Sequence, residues 1–319
     1  MSMLPLVIVN PTSARGATLD AWPAMASDLR THFGPFTCRF TEGAGDGRRL
    51  ATEGALAGRA LIIACGGDGT ISEVANGILE SGAEAELGIL PSGTGGDFRR
   101  TLNLPTNTSA AARALRTGRT RRVDVGRVHY LNHEGEPETR YFLGVASFGM
   151  SPAIIERVKA AGGGWLQSQP LGRIGGQLSF ASAMLRATIE TQAAIVQAQI
   201  DEQPERRLQV TNLCVANARY FGGGMKIAPT AVLNDSRFDI ITIGDMGALE
   251  IIRNAPRLYF GKHLSMRQVQ HQRARRVVAR PARDDKEVAI EVDGELPGRL
   301  PATFEILPAA LRLRCPAQA

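Results

Sequence analysis

The chain has 319 residues, 44% of them hydrophobic and 21% charged, with a formal net charge of +6. That length suggests two domains, and the composition is that of an ordinary globular protein, which excludes disordered, collagen-like and coiled-coil chains. The cysteines Cys38, Cys65, Cys214 and Cys315 form no CxxC pair and lie near no histidine cluster, so a zinc site and a disulfide framework are both unexpected and a reducing compartment fits best. No apolar run is long enough to span a bilayer, and Met1–Asn10 reads as a strand and not a signal peptide, so a cytoplasmic protein is expected.

In chain order, Leu4–Val9 is an apolar strand ending in the turn Asn10-Pro11-Thr12-Ser13. A helix is expected from Thr18 to Phe33, a strand over Phe36–Thr41, a helix over Ala44–Ala57, and a third strand over Ala60–Cys65. That strand runs into Gly66-Gly67-Asp68-Gly69-Thr70, behind which a helix opens; a fourth strand, Glu86–Leu90, ends in Pro91-Ser92-Gly93-Thr94-Gly95-Gly96-Asp97-Phe98. Strands alternating with helices predict an open, mostly parallel α/β sheet. Beyond Arg121 the pattern becomes strand-rich: Val123–Tyr130, Arg140–Ser147, Ala193–Ile200, Leu208–Ala216, Phe238–Gly244, Val277–Ala279, Val288–Val292 and Thr303–Leu307, with helices at Pro152–Ala161, Gly175–Thr188 and Ala248–Phe260. The second part is therefore expected to be an antiparallel β-sandwich.

The segment from Ala64 to Leu79 carries the most chemistry. Glycines 66, 67 and 69 let main-chain N–H groups approach an anion, and a helix N-terminus follows, which together suit a phosphate. Thr70 and Glu73 have the spacing of a capping box. A plain structural turn remains an alternative for either glycine turn. Asp68 favours the functional reading, because an aspartate inside a phosphate-binding turn needs Mg²⁺ or a donor between it and the anion. Neither turn matches GxxxxGK[ST] or GxGxxG.

These residues, with Asn10-Pro11 upstream, resemble the diacylglycerol kinase catalytic family, which includes bacterial lipid kinases, sphingosine kinases and ceramide kinases. Asn217–Met225 (NARYFGGGM), Leu233-Asn234-Asp235 and Asp293-Gly294-Glu295 are similar to later family segments, in the right order over nearly the whole chain. The resemblance implies an ATP- and Mg²⁺-dependent lipid kinase acting on a two-chain lipid, diacylglycerol or ceramide. It also implies an α/β nucleotide domain (residues 1–122, rejoined by 307–319), a β-sandwich domain (123–306) and an active cleft between them. ATP contacts would come from Asn10, Pro11, Thr12, Arg15, Thr41, Gly66, Gly67, Asp68, Gly69, Thr70, Ile71, Ser72, Thr94 and Asp97. Asp235 would hold a structural Mg²⁺ with main-chain help near Val232 and Arg237, and Glu295 would be the catalytic base beside Asp68. Gly96 departs from the pattern, since many relatives carry Asn there. The alternatives are an NAD kinase-like enzyme, which shares GGDGT, and a non-catalytic lipid-binding protein.

Between Arg253 and Arg283 stand nine Lys/Arg and no Asp/Glu, leaving −3 for the rest of the chain. This stretch is either a solvated surface or a face for anionic lipid headgroups at the inner membrane surface. Nucleic acid is not expected, because no aromatic interleaving accompanies the charge. The helix at Ala248–Phe260 and the loop Gly162–Leu166 with Trp165 are further candidates for lipid contact. Oligomeric state is not legible.

Overall fold

Leu6-Val7-Ile8-Val9 is buried along its whole length and forms β1 (Leu6–Val9) of the computed structural model, which describes residues 3–93, 95–161, 193–283 and 286–316. Thr94, the helix expected at Gly175–Thr188 and the loop Gly162–Leu166 lie outside the described residues. The chain divides into two units, Met1–Val125 with Pro308–Ala319, and Gly126–Leu307.

In the first unit β1 is flanked by β2 (Thr37–Phe40) on one side and by β3 (Leu61–Gly66) on the other, and β4 (Glu86–Pro91) follows β3, all parallel. Arg312 and Leu313, near the end of the long strand β14 (Glu295–Cys315), add a further parallel pairing beside β4. Such a sheet is buried on both faces, which is why its strands read as continuous apolar runs. Alternation sends Val7, Val9, Ile63 and Cys65 into one core with Trp22 and Leu29 of α1 (Ala17–His32) and Ala111, Ala112 and Leu115 of α5 (Thr108–Thr117). Leu6 and Ile62 point the other way, against Gly54 of α2 (Asp46–Leu56). α3 (Asp68–Ser81) buries Ile71, Val74, Ala75 and Ile78. Asn107 caps α5 by accepting the Ala110 amide at 3.0 Å.

The second unit is antiparallel. Its strands are β5 (Arg119–Asn132, shared with the first unit), β6 (Pro137–Phe142), β7 (Val145–Gly149), β8 (Ala194–Ile200), β9 (Arg206–Ala216), β10 (Phe238–Gly244), β11 (Val269–Ala274), β12 (Arg276–Pro281), β13 (Ala289–Val292) and the first part of β14. β9 pairs with β8 through its first half and with β7 through its second; β14 likewise pairs with β13 and then with β12. With the β7–β13 and β8–β12 pairings the ring closes, so the long strands pass from one sheet to the other and few edges are left. Phe142, Phe148, Phe238 and Phe304 are fully buried among Val128, Leu213, Val215 and Ile290. Among the described residues its α-helices are α6 (Met150–Ala161) and α7 (Ala248–Tyr259).

Two expectations need correction. Arg140–Ser147 is not one strand: it breaks between β6 and β7 because the Leu143 and Gly144 amides turn to the Asp293 carboxylate, at 3.0 and 2.8 Å. β11 lies inside the basic stretch and was not expected, since Val-Gln-His-Gln-Arg-Ala offers little apolar alternation.

Candidate active site

Three loops gather at the carboxyl edge of the parallel sheet, where open α/β sheets bind ligands. The first follows β1. Asn10 Oδ1 accepts from the Thr12 amide at 3.0 Å and the Thr12 hydroxyl at 2.8 Å, while its Nδ2 donates to Thr70 Oγ1 at 3.0 Å. The Asx turn thereby ties the first loop to the start of α3. Pro11 continues this turn, and Ala14 and Arg15 follow with φ of 54° and 60°. Two consecutive non-glycine residues in the left-handed region are uncommon, and such strain clusters at functional sites. The Arg15 side chain is exposed.

The second loop follows β3. Gly67 stands before α3 without a side-chain cap, so the amides of the first turn are left to a ligand or solvent. Thr70, Ile71 and Ser72 are buried in that turn, which leaves the backbone of Gly67–Gly69 as its outward part. The third loop follows β4 and lies directly on the second. The Ser92 amide donates to the Gly66 carbonyl at 2.9 Å, and Ser92 Oγ lies 2.6 Å from Thr18 Oγ1 of α1. A Cβ on Gly93 would stand 2.5 Å from the Gly67 Cα, so only a bare backbone permits this approach.

Asp68 completes the joint. Its two oxygens accept the amides of Asp97 and Phe98 at 3.0 and 3.1 Å, capping α4 (Asp97–Thr101), while Arg100 pairs with Asp97 Oδ1 at 2.9 Å and also reaches the Gly95 carbonyl. Gly96 is left-handed at φ 67°, ψ 38°, a conformation that asparagine tolerates best after glycine, so the exchange with the resembling family leaves the backbone path open to either residue. Thr41 follows β2, buried, with its amide on the Val9 carbonyl at 2.9 Å.

The expected capping box is absent. Glu73 turns away from Thr70 and accepts the Gly45 and Gly47 amides at 2.8 and 2.9 Å, serving the N-terminus of α2 instead. A free helix start offers charged acceptors a better site than a backbone amide in its own first turn.

In the second unit Glu295 opens β14 directly after a two-residue hairpin, with Val292 paired to it. Asp293 and Gly294 have φ of 49° and 84°, the signature of a type I′ turn. The turn is held from behind: buried Glu291 accepts the Gly294 amide at 2.7 Å and the Ser147 hydroxyl at 2.5 Å. Asp293 grips Leu143 and Gly144, and buried Asn217 grips the same pair, its Nδ2 on the Leu143 carbonyl at 3.0 Å and its amide on that of Gly144 at 2.9 Å. Two segments singled out in the sequence, Asn217 and Asp293-Gly294-Glu295, thus converge on Leu143-Gly144. Glu291, Ser147 and Thr18 were not read as site residues; they sit in apolar strands or helices and carry no motif.

Asp235 lies between β9 and β10 with Val232 and Arg237. Its Oδ1 accepts the Arg237 amide at 3.2 Å; its buried Oδ2 has no hydrogen-bond partner and stands 3.3 Å from Arg273 Nη1. Among the described residues no group of three His, Cys, Asp or Glu side chains is placed to hold a metal ion. That oxygen faces the Arg273 guanidinium, so a hard cation held by this carboxylate, main-chain carbonyls and water would take the guanidinium's place. The cysteines are unpaired, and burial pushes the Cys65 thiol up to about 12, so it is no nucleophile. His263 is buried with Nε2 on the Ile227 carbonyl, a structural role.

Part of the basic stretch is paired within the chain. Arg273 pairs with Asp235, Arg276 with Glu305 and Arg280 with Glu205, acids contributed by distant parts of the chain. No described helix is long and apolar enough to cross a membrane.

Its similarities to known proteins make the chain a kinase, with an α/β catalytic domain followed by a β-sandwich-like domain. Residues 5–128 match the diacylglycerol kinase catalytic domain, and residues 167–315 match the YegS C-terminal NAD kinase beta sandwich-like domain. The chain belongs to the bacterial diacylglycerol kinase family, whose kinase activity implies use of ATP. It is 28% identical to a diacylglycerol kinase of Bacillus subtilis strain 168, over 93% of this chain and 91% of the relative. It is also 28% identical to a diacylglycerol kinase of Mycobacterium tuberculosis, over 97% and 94%. A crystal structure of a diacylglycerol kinase from Bacillus anthracis strain Sterne shares the fold, with a TM-score of 0.71 at 22% identity over 99% of this chain and 97% of that one.

Proposed function

We propose that this protein transfers the γ-phosphoryl group of ATP to the primary hydroxyl of a two-chain membrane lipid, diacylglycerol or ceramide, at an anionic membrane surface. The observation that carries the reading is the backbone-to-backbone joint of the two glycine turns, locked by Asp68 at the carboxyl edge of the sheet. Phosphoryl transfer asks a protein for positioning and charge neutralisation more than for covalent chemistry, and preformed turns suit that demand.

In this reading Asn10, Pro11, Thr12, Arg15, Thr41 and the turn Gly66–Ser72 hold the nucleotide with Thr94. The uncapped amides at the start of α3 face its phosphates. Asp68 and Asp97 stand on the metal–phosphate side, each oxygen of Asp68 retaining a second lone pair beyond its amide. Mg²⁺, when bound, neutralises charge on the transferring phosphoryl group; Asp235, with carbonyls near Val232 and Arg237, would hold a second, structural ion. Glu295 takes the proton of the lipid hydroxyl as it attacks, and Glu291 and Asp293 fix the turn that presents it.

A panel of detergent-dispersed diacylglycerol, ceramide and sphingoid base, with soluble NAD as the competing acceptor, tests this with γ-labelled ATP. Label in phosphatidic acid or ceramide phosphate supports the reading. Label in the dinucleotide supports an NAD kinase-like enzyme, and label in no acceptor leaves a binding protein.

A further inference from the structure

The exposed residues of α7 and its C-terminal cap fall at Leu249, Ile252, Arg253, Pro256, Arg257 and Phe260, which is one face of a helix by its i, i+3, i+4, i+7 spacing. Leu249 is 79% and Phe260 73% exposed, an unusual outlay for large apolar side chains. The opposite face carries Ala255, Leu258 and Tyr259, which pack against Met225 and Ile154 and so anchor the helix to its own unit. Among the described residues neither Arg253 nor Arg257 forms an ion pair, and Lys262 follows them, exposed, in the next turn. The arginines of β11 and β12, by contrast, are largely engaged by Asp235, Glu305 and Glu205.

We infer that α7 is the element that seats this protein on the membrane, lying in the plane of an anionic bilayer with Leu249, Ile252 and Phe260 inserted and Arg253 and Arg257 among the headgroups. The inference rests on the lipid-substrate reading above and adds the surface that meets the lipid. A helix of alternating apolar and cationic residues on one exposed face matches the chemistry of an interfacial helix: apolar area supplies insertion, and arginine supplies attraction to anionic lipid while its stem remains among acyl chains. A soluble acidic partner would have no use for Leu249 and Phe260, and a neutral bilayer none for the two arginines.

The test is co-sedimentation of the full chain with phosphatidylglycerol-containing vesicles and with phosphatidylcholine vesicles, for wild type, L249S/F260S and R253E/R257E. Wild type should favour the anionic vesicles, and each double variant should partition at least about tenfold more weakly. A probe that does not depend on comparing affinities is a polarity-sensitive dye on L249C in a C38S background, which should shift to the blue with anionic vesicles. Turnover on a monomeric short-chain diacylglycerol should be unchanged in both variants. If every form lacks that turnover, the substrate reading fails while the vesicle and dye results still stand or fall by themselves. Unchanged partitioning of L249S/F260S, equal binding to both vesicle types, or a dimer that these substitutions dissolve without any vesicle binding would each overturn the inference.

Discussion

The two oxygens of Asp68 each accept an amide, from Asp97 and Phe98, so an asparagine there can satisfy only one of them. Asp68→Asn should therefore cost about 1–2 kcal/mol of stability from the unpaired amide, a loss that leaves nearly all molecules folded. If Asp68 also orders the metal–phosphate group, kcat should fall by about 10²-fold or more, far beyond what unfolding explains. Thermal melts beside initial rates separate the two effects; a stability loss with near-normal kcat would reduce Asp68 to a helix cap. The sequence showed the residue but not this second task, because its partners are main-chain groups of another loop. Glu73 went astray for the same reason: the T-x-x-E spacing is real, yet its carboxylate serves α2. Local spacing cannot report a competing helix start that only the fold brings near.

At the scale of elements, the contact of the two turns depends on glycine at 93. Gly93→Ala would set a methyl 2.5 Å from the Gly67 Cα, backbone against side chain with nothing soft to yield. A destabilisation of about 1–3 kcal/mol is expected, with a raised KM for ATP because the first turn must shift. A wild-type KM would show that the two turns are not functionally joined. β14 is held to β4 and β5 by Glu86, which is buried and contacts Thr120 at 2.7 Å, Arg312 at 3.0 Å and Arg314 at 2.6 Å. Burial raises the Glu86 pKa, but the Thr120 hydroxyl and the two guanidiniums outweigh it, and the net shift is downward. A carboxylate depressed in the folded state contributes stability that is complete above its unfolded pKa and is lost as pH falls through the folded one. Glu86→Gln should thus cost on the order of 3 kcal/mol at neutral pH, and the deficit should shrink below about pH 4, where wild type loses the same contribution. A deficit independent of pH between 3 and 7, an interval of about four units, would contradict the assignment.

For the whole molecule, the change from a parallel α/β pattern to antiparallel strands near Arg121 was legible because buried parallel strands read as unbroken apolar runs, as in Leu61–Cys65. The extent of β14 was not: Pro297, Pro301 and Pro308 punctuate it, and only Thr303–Leu307 carried a strand pattern. The ring of β9 and β14 was equally hidden, since it depends on which half of each long strand meets which partner. Charge was legible as an amount and not as a surface, because Asp235, Glu205 and Glu305 reach Arg273, Arg280 and Arg276 from elsewhere in the chain.

Phosphorus NMR of the protein with Mg²⁺, ATP and dispersed diacylglycerol, wild type beside Glu295→Gln, tests the central claim most directly. Wild type should convert the γ-phosphate signal into one phosphomonoester resonance of phosphatidic acid, with ADP appearing in equal amount. Glu295→Gln keeps the shape and one acceptor but cannot take the proton, so kcat should fall by roughly 10²–10⁴-fold with ATP affinity nearly unchanged. Inorganic phosphate in place of a lipid phosphomonoester, or a glutamine variant that keeps most of its kcat, would contradict the account.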